Sequence, residues 1–162
     1  MHRIASSPPL MGNEIMPVAY CVGPIKDNQV DRSYCLVEAV GYNVGLDDWR
    51  QFCAAACARR YLSPNVEDVI TVENQFGYVT GVSIIRTGHS DTYGRLLDVP
   101  VFVVISAANT RGVCNALLGH VVATARNRNC GFVRVARLEP SNWPGSSEVS
   151  HGDDRGLLIP VQ

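Results

Sequence analysis

The stretch from residue 98 to residue 128 constrains the fold of this chain more than any other. It opens with an apolar run at 99–105, in which six of the seven residues are β-branched or aromatic, as in a strand buried on both faces. Small and polar residues follow at 106–112. The next segment has apolar side chains at helical spacing: Leu117, Leu118, Val121, Val122 and Ala125. The sequence therefore predicts a buried strand, a glycine-containing turn and an amphipathic helix in succession.

The turn between that strand and that helix suits a phosphate group. The first N–H groups of a helix find no carbonyl within the helix and carry partial positive charge, which attracts anions. Gly112 lies in the turn, where the absence of a Cβ allows the backbone to approach a ligand closely. We therefore expect the turn to bind the pyrophosphate of a nucleotide-like cofactor. The chain contains neither a G-x-G-x-x-G sequence nor a P-loop.

Apolar periodicity predicts the order of the remaining elements. Strands are predicted at 18–22, 68–73, 78–86, 96–105, 132–138 and 157–161. Helices are predicted at about 28–40, from a cap at Asp47 to about 60, and from the turn to about 129, with a loop at 87–94. Runs of strands around one long helix indicate an α/β protein of the α+β type, with a mixed, mostly antiparallel central sheet flanked by helices.

Length and composition limit the classes of protein that fit. The 162 residues suit one domain at 17–162, which follows a flexible tail at 1–16 and contains an irregular segment at 140–156. We expect no membrane span, no signal peptide and, with a net charge of −1, no nucleic-acid partner. The six cysteines include no C-x-x-C pair, so we expect reduced thiols, no metal site and a cytoplasmic location.

The turn also carries a resemblance to a known family. Residues 109–114 read Asn-Thr-Arg-Gly-Val-Cys, and Asn-Ala-Leu-Leu follows at 115–118. This resembles the pyrophosphate turn of the GCN5-related N-acetyltransferase (GNAT) superfamily, Gln/Arg-x-x-Gly-x-Gly/Ala, together with its helix start. The order of elements over about 18–139 resembles that superfamily as well. Gly112 matches the pattern, whereas Asn109 and Cys114 depart from it.

The resemblance implies a GNAT-like acyl-CoA N-acyltransferase fold and an activity. The protein would bind acetyl-CoA as co-substrate and transfer the acetyl group to an amine of a small molecule or peptide. Backbone groups of Phe102, Val103 and Val104 would pair with the pantetheine arm as an added strand does. The turn would hold the pyrophosphate through Asn109, Thr110, Arg111, Gly112, Val113, Cys114 and Asn115. The departures in the turn predict weakened rather than abolished binding.

Acetyl transfer requires a neutral amine, so a base is expected. In one branch of the family a Glu on the fourth strand is this base, and Asp98, eleven positions before Asn109, lies at the comparable place. The alternative is that Asp98 only ends a strand at a solvent-facing turn. Many members also use a tyrosine to protonate the leaving thiolate, and 140–156 contains none. Tyr42 and Tyr93 are the substitutes considered.

Two other functions remain open at the level of sequence. The imperfect turn and the missing tyrosine also fit a GNAT-like module that binds acyl-CoA without turnover. The apolar strand at 157–161 also fits a scaffold domain that pairs with another copy, as a homodimer. His120, on the polar flank of the third helix, is interpreted as a surface residue rather than a base.

Overall fold

The computed structural model of the chain describes residues 19–63, 66–139, 143–144 and 156–162. Its strands are β1 (Cys21–Pro24), β2 (Asp68–Glu73), β3 (Val79–Ser90), β4 (Gly94–Val104), β5 (Phe132–Val135) and β6 (Leu157–Pro160). Its helices are α1 (Val30–Ala39), which a 3-10 turn at Asp27–Gln29 precedes, α2 (Leu46–Arg60) and α3 (Thr110–Asn127). The tail predicted at 1–16 and most of the segment predicted at 140–156 lie outside the described residues.

The six strands form one sheet in which spatial order follows chain order, β1-β2-β3-β4-β5-β6. Neighbouring strands are antiparallel except β4 and β5, which are parallel because α3 carries the chain back along the sheet between them. The predicted mixed, mostly antiparallel sheet of an α+β protein is confirmed.

Helices cover both faces of this sheet. On one face, α1 and α2 pack over a cluster that includes Trp49, Val82 and Val103, and we name this the α1–α2 face. On the other, which we name the α3 face, Leu117 and Val121 are buried against the sheet. The apolar stripe predicted for the third helix is therefore the side of α3 that meets the sheet. Within the described residues, no helix is long and apolar enough to cross a bilayer.

The largest error of the sequence prediction concerns the hairpin of β3 and β4. The predicted loop at 87–94 is mostly strand, since β3 continues to Ser90 and β4 begins at Gly94. In this part of β3, Thr87 and Gly88 pair with the buried leucines Leu97 and Leu96. Tertiary pairing therefore outweighs the turn-like composition on which the loop was predicted.

Further boundaries differ from prediction. The first strand, predicted at 18–22, is found at Cys21–Pro24, so it includes the Gly-Pro pair that was expected to end it. Asp47 does not cap α2: the N-cap is Gly45, and Asp47 lies in the first helical turn, where a negative charge is also favourable. β5 ends at Val135, three residues before the predicted end at residue 138. The early end of β5 matters for the site, because β4 extends well beyond it.

Gly81 allows α3 to lie close to the sheet at its N-terminal end. A Cβ at this position would lie 3.2 Å from Val72 Cγ2 and 3.3 Å from Val113 Cγ1, closer than side chains normally pack. Because Val113 belongs to the first turn of α3, the glycine fixes how near that turn sits to β3.

Candidate functional site

β4 loses its second neighbour about halfway along its length. β5 pairs with β4 only as far as Val99, whose partner is Val135, and the N–H of Ala136 still donates to the carbonyl of Val99 at 3.0 Å. β4 then continues for five residues, to Val104, and no described strand pairs with that side of it. Because β5 ends at Val135, β4 has an open edge from Pro100 to Val104 in the described part of the chain.

A β-bulge in β4 lies where this open edge begins. Ile84 pairs with Val101 but Arg86 pairs with Asp98, so β4 has one residue more than β3 between these pairs. The side chain of Val99 lies on the α3 face and that of Val101 on the α1–α2 face. The bulge therefore shifts the alternation of side chains by one residue where β5 ends.

The ladder with β3 determines which backbone groups face the open edge. The N–H of Ile105 donates to the carbonyl of Thr80, the next pair in the β3–β4 register, at 2.9 Å. Hydrogen-bonded and non-bonded pairs alternate along an antiparallel ladder, so Val103 also bonds to β3. The N–H and C=O groups of Phe102 and Val104 consequently point to the open edge. Of the three residues predicted to offer backbone groups to a ligand, the register favours Phe102 and Val104 over Val103.

The open edge leads to the first turn of α3, where Asn109 is the N-cap. The Oδ1 of Asn109 accepts a hydrogen bond from the N–H of Gly112 at 2.9 Å. Its carbonyl accepts one from the N–H of Val113 at 3.2 Å. In the described part of the chain, the N–H groups of Thr110 and Arg111 are left as the donors of this turn without a partner.

This arrangement favours only part of the turn predicted at 109–115 as a source of N–H donors for a ligand. Those of Cys114 and Asn115 lie far enough into α3 to belong to its hydrogen-bond ladder. An anion at the turn would first meet the two free donors. It would gain the N–H of Gly112 only if the Asn109 side chain moved away.

The Asn109 cap explains why residue 112 is glycine. A Cβ there would lie 2.3 Å from Nδ2 of Asn109, so this cap and a side chain at 112 exclude each other. Ser106 supports the same turn: its Oγ accepts from the N–H of Asn109 at 3.2 Å, and its carbonyl accepts from the hydroxyl of Thr110 at 3.0 Å.

Asp98 lies inside β4, whereas the alternative interpretation of the sequence placed it at the end of a strand. The residue is 8% exposed, so it does not terminate the strand at a solvent-facing turn. Its Oδ1 accepts from Nε of Arg134 at 3.1 Å, and its Oδ2 accepts from Nε of Arg86 at 3.0 Å. Because both oxygens already accept hydrogen bonds, the contacts favour a role in holding the arginines. The role of Asp98 as a base stays a prediction.

The two tyrosines considered as proton donors differ in environment. Tyr42 is buried in the loop between α1 and α2, and its hydroxyl has no hydrogen-bond partner among the described residues. Burial raises the pKa of Tyr42 to about 12, which makes it a poor proton donor. Tyr93 lies in the turn between β3 and β4, with its ring 5.2 Å from that of Phe132. This turn is at the end of β4 opposite to α3.

Other titratable groups are placed as follows. His120 is half-buried rather than on the surface, and burial lowers its pKa, while the nearby Asp68 carboxylate acts in the opposite direction. The six cysteines are free thiols. Among the described residues, no cluster of three or more His, Cys, Asp or Glu side chains is arranged to hold a metal ion.

This protein matches known proteins in structure but not in sequence. No family model matches the sequence, and no curated protein matches it. The structure is similar to a GCN5-related glucosamine N-acetyltransferase region of a fungal multidomain β-N-acetylglucosaminidase, with a TM-score of 0.58 and 13% identity. That match covers 80% of this chain but only 15% of the fungal chain.

Two further structures match over most of their own length. An acetyltransferase from Trypanosoma brucei has a TM-score of 0.56 at 15% identity, with 76% of this chain and 86% of that chain covered. A GNAT family acetyltransferase from Staphylococcus aureus has a TM-score of 0.56 at 12% identity, with 68% and 81% covered. This chain has the GNAT fold. At such identities the likeness shows a shared architecture and leaves the substrate to be argued from the site.

Two residues beside the open edge of β4, Arg86 and Arg134, were not predicted from sequence. Each ends or interrupts an apolar strand pattern, which was the available signal. Their convergence on one carboxylate depends on the register of three strands and on the bulge in β4, and periodicity alone does not contain that information.

Proposed function

We propose that this protein is an acetyl-CoA-dependent N-acetyltransferase that acts on an amine of a small molecule or peptide. The open edge of β4 beside the first turn of α3 is the observation that carries the proposal. The backbone groups of Phe102 and Val104 suit an amide-bearing arm, as in strand addition, and the N–H groups of Thr110 and Arg111 suit a diphosphate. The GNAT fold adds support, since the solved structures that share it are acetyltransferases.

The order of these two features matches the order of groups along one ligand. An arm anchored at α3 and paired first with Val104 and then with Phe102 runs along β4 toward Val99. Residues 104 to 100 span about 13 Å at roughly 3.3 Å per residue. The thioester end of the ligand would then reach the point where β4 and β5 join.

The proposed chemistry is direct transfer. The lone pair of a neutral amine attacks the thioester carbonyl carbon, the C–N bond forms, and the C–S bond breaks with departure of the thiolate. The amine gives up its proton to a base or to water, and the thiolate takes one up. The thiolate of coenzyme A is a fairly good leaving group, so this route does not require a tyrosine at the place where many GNAT enzymes have one.

The proposal includes Asp98 as the base, and a single variant tests this role directly. Asp98→Asn keeps the size of the side chain and removes the group that would accept the proton. If Asp98 is the base, the acidic limb of the pH–rate profile disappears. An unchanged profile would remove it from that role and leave water or another group as the acceptor.

Ligand-dependent stability tests the binding step. Thermal unfolding with acetyl-CoA at 100 times its dissociation constant should show about 2.7 kcal/mol of stabilisation. No shift at millimolar acetyl-CoA would contradict the proposal. Once binding is established, release of free thiol in a panel of amines separates an enzyme from a module that only binds.

Proline substitution tests the open edge itself. Val104→Pro removes one N–H that faces the edge and leaves the bonds of Val103 and Ile105 to β3 in place. Leu158→Pro is the matched control, because the register of β6 also directs the N–H of Leu158 away from its neighbour β5. We expect Val104→Pro to lose most of the stabilisation by acetyl-CoA and Leu158→Pro to keep it, with circular dichroism to establish that both variants are folded.

A non-catalytic acyl-CoA-binding module is the second candidate, and the engagement of both Asp98 oxygens by arginines favours it, because it leaves the expected base already hydrogen-bonded. Dimerisation through β6 has less support. The free edge of β6 presents the N–H of Leu158, but Pro160, the next residue facing that edge, has no N–H. A homodimer therefore stays a prediction, and measurement of the molecular mass in solution would test it.

A further inference from the structure

Three charged side chains form a row across the sheet beside the point where β5 ends. Arg86 of β3 is opposite Asp98 of β4, and Asp98 is opposite Arg134 of β5. Nε of Arg86 and Nε of Arg134 bind different oxygens of the carboxylate, at 3.0 and 3.1 Å, and Nη2 of Arg86 lies 3.0 Å from Oδ2. We name these three residues the arginine row.

The arginine row lies on the α1–α2 face of the sheet. Its neighbours in the strands, Ile85, Val99 and Val133, have their side chains on the α3 face, and successive residues of a strand alternate between faces. Asp98 precedes by two residues the start of the open edge at Pro100. In the proposed function this is the end of the crevice that the thioester reaches, so an acceptor that approaches on the α1–α2 face would meet the row.

The row has more positive charge than its carboxylate requires. One carboxylate faces two guanidinium groups, which leaves a net charge of +1. The Asp98 side chain is 11% exposed, whereas those of Arg86 and Arg134 are 46% and 43% exposed. Within the described residues, Nη1 of Arg86 and both Nη atoms of Arg134 have no partner, so N–H donors remain available on two guanidinium groups that Asp98 fixes in place.

We propose that Arg86 and Arg134 bind an oxyanion, a carboxylate or a phosphate, of the amine that accepts the acetyl group. The planar guanidinium binds both anions through paired N–H donors, and a guanidinium held by a buried carboxylate loses little side-chain entropy when it does so. Asp98 holds the two arginines in position, whether or not it also acts as the base. This inference rests on the proposed acetyl transfer, because it names the class of acceptor.

Paired acceptors test this assignment. Thiol release from acetyl-CoA is measured with amines that differ in one anionic group: an amino acid and its amide, and an amino sugar and its phosphate. The first pair reports on a carboxylate and the second on a phosphate. In at least one pair, we expect kcat/KM for the anionic amine to exceed that for the amine without the anionic group about tenfold or more. A ratio of this size corresponds to one hydrogen bond to a charged group.

Single glutamine variants test the residues. Arg86→Gln and Arg134→Gln each leave Asp98 one arginine, and both should raise KM for the preferred anionic amine about tenfold or more while kcat changes little. Arg95→Gln is the matched control: it removes the same charge from β4, where the Arg95 side chain bonds to the carbonyl of Arg128 near the end of α3. Stabilisation by acetyl-CoA should be the same in all of these proteins.

The outcomes separate this inference from the proposed function. If the wild-type protein acetylates both members of each pair equally, or if both glutamine variants keep the wild-type preference, the inference is overturned while the acetyltransferase stands. If acetyl-CoA neither binds nor reacts, the proposed function fails. In that case, stabilisation by inorganic phosphate that Arg86→Gln and Arg134→Gln lose and Arg95→Gln keeps would still support an oxyanion site, and its absence would overturn it.

Discussion

Asn109 and Gly112 face each other across the first turn of α3, where Oδ1 of Asn109 accepts a hydrogen bond from the N–H of Gly112 at 2.9 Å. The contact uses an N–H group that an anion at this turn would otherwise bind. The asparagine therefore stabilises the folded protein as a helix cap, but it weakens binding of the proposed diphosphate by occupying an N–H donor.

Replacement of Asn109 separates these effects. Asn109→Ala removes the cap and should lower the free energy of unfolding by about 1 kcal/mol in the absence of ligand. The same change frees the N–H of Gly112, so the variant should bind acetyl-CoA at least as tightly as the wild-type protein. Calorimetric titration and denaturant unfolding measure the two quantities. Weaker binding by Asn109→Ala would mean that the side chain assists the ligand rather than competes with it.

The ion pair between Arg60 and Asp68 is expected to contribute strongly to stability. Nε and Nη2 of Arg60 bind the two oxygens of Asp68 at 3.0 and 2.7 Å, and Asp68 is 7% exposed. Asp68→Asn should lower the free energy of unfolding by about 2 kcal/mol, because the partly exposed guanidinium of Arg60 loses charged hydrogen bonds to a buried carboxylate. Asp31→Asn is the control: Asp31 makes an equally close pair with Arg50, but on the surface, so its loss should have little effect. Equal losses in urea unfolding would contradict this account.

His120 should make stability depend on pH. Burial lowers its pKa in the folded protein below the ordinary value of 6.5, so the unfolded chain binds more protons between these two values. The free energy of unfolding should be at its full value above about pH 6.5 and should fall as the pH drops below it. His120→Gln should show a shallower decline between pH 7 and pH 5. Parallel curves for the two proteins would assign the decline to other groups.

The Tyr42 hydroxyl is expected to lower stability. It is buried without a hydrogen-bond partner among the described residues, and such a group costs about 1 kcal/mol or more. Tyr42→Phe should therefore raise the free energy of unfolding by about 1 kcal/mol. Tyr34→Phe is the matched control, because the Tyr34 hydroxyl donates to the carbonyl of Val44 at 3.0 Å and its removal should destabilise the protein. Losses of similar size in both variants would show that the Tyr42 hydroxyl has a partner.

The parts of the fold that could be predicted from sequence depend on local patterns. Apolar alternation located β2 with both of its boundaries, and helical spacing located the buried side of α3. The Asn109 cap was also within reach, because asparagine is among the best N-cap residues. The resemblance to a pyrophosphate turn assigned that residue to a ligand instead.

The parts that could not be predicted depend on contacts between distant segments. The open edge of β4 follows from the end of β5 at Val135, and three more residues of that segment have a strand-like pattern. The ion pairs of Asp98 require Arg86 and Arg134 to be aligned across three strands that are separated along the chain. Sequence periodicity places each residue on a face of a strand, but register decides which residues meet.

The agreement of sheet order with chain order has a consequence for synthesis on the ribosome. Every buried member of the cluster under α1 and α2 lies between Ile25 and Val103, whereas the opposite cluster requires α3 and β5. One hydrophobic layer can thus close while the remainder of the polypeptide is still being translated. Hydrogen exchange on ribosome-bound chains that expose residues up to Val104 but not α3 should already show protected amides in β2 and β3. The layer under α1 and α2 would then form first. The proposed ligand site between β4 and the first turn of α3 would form only after α3 and β5 have been synthesised.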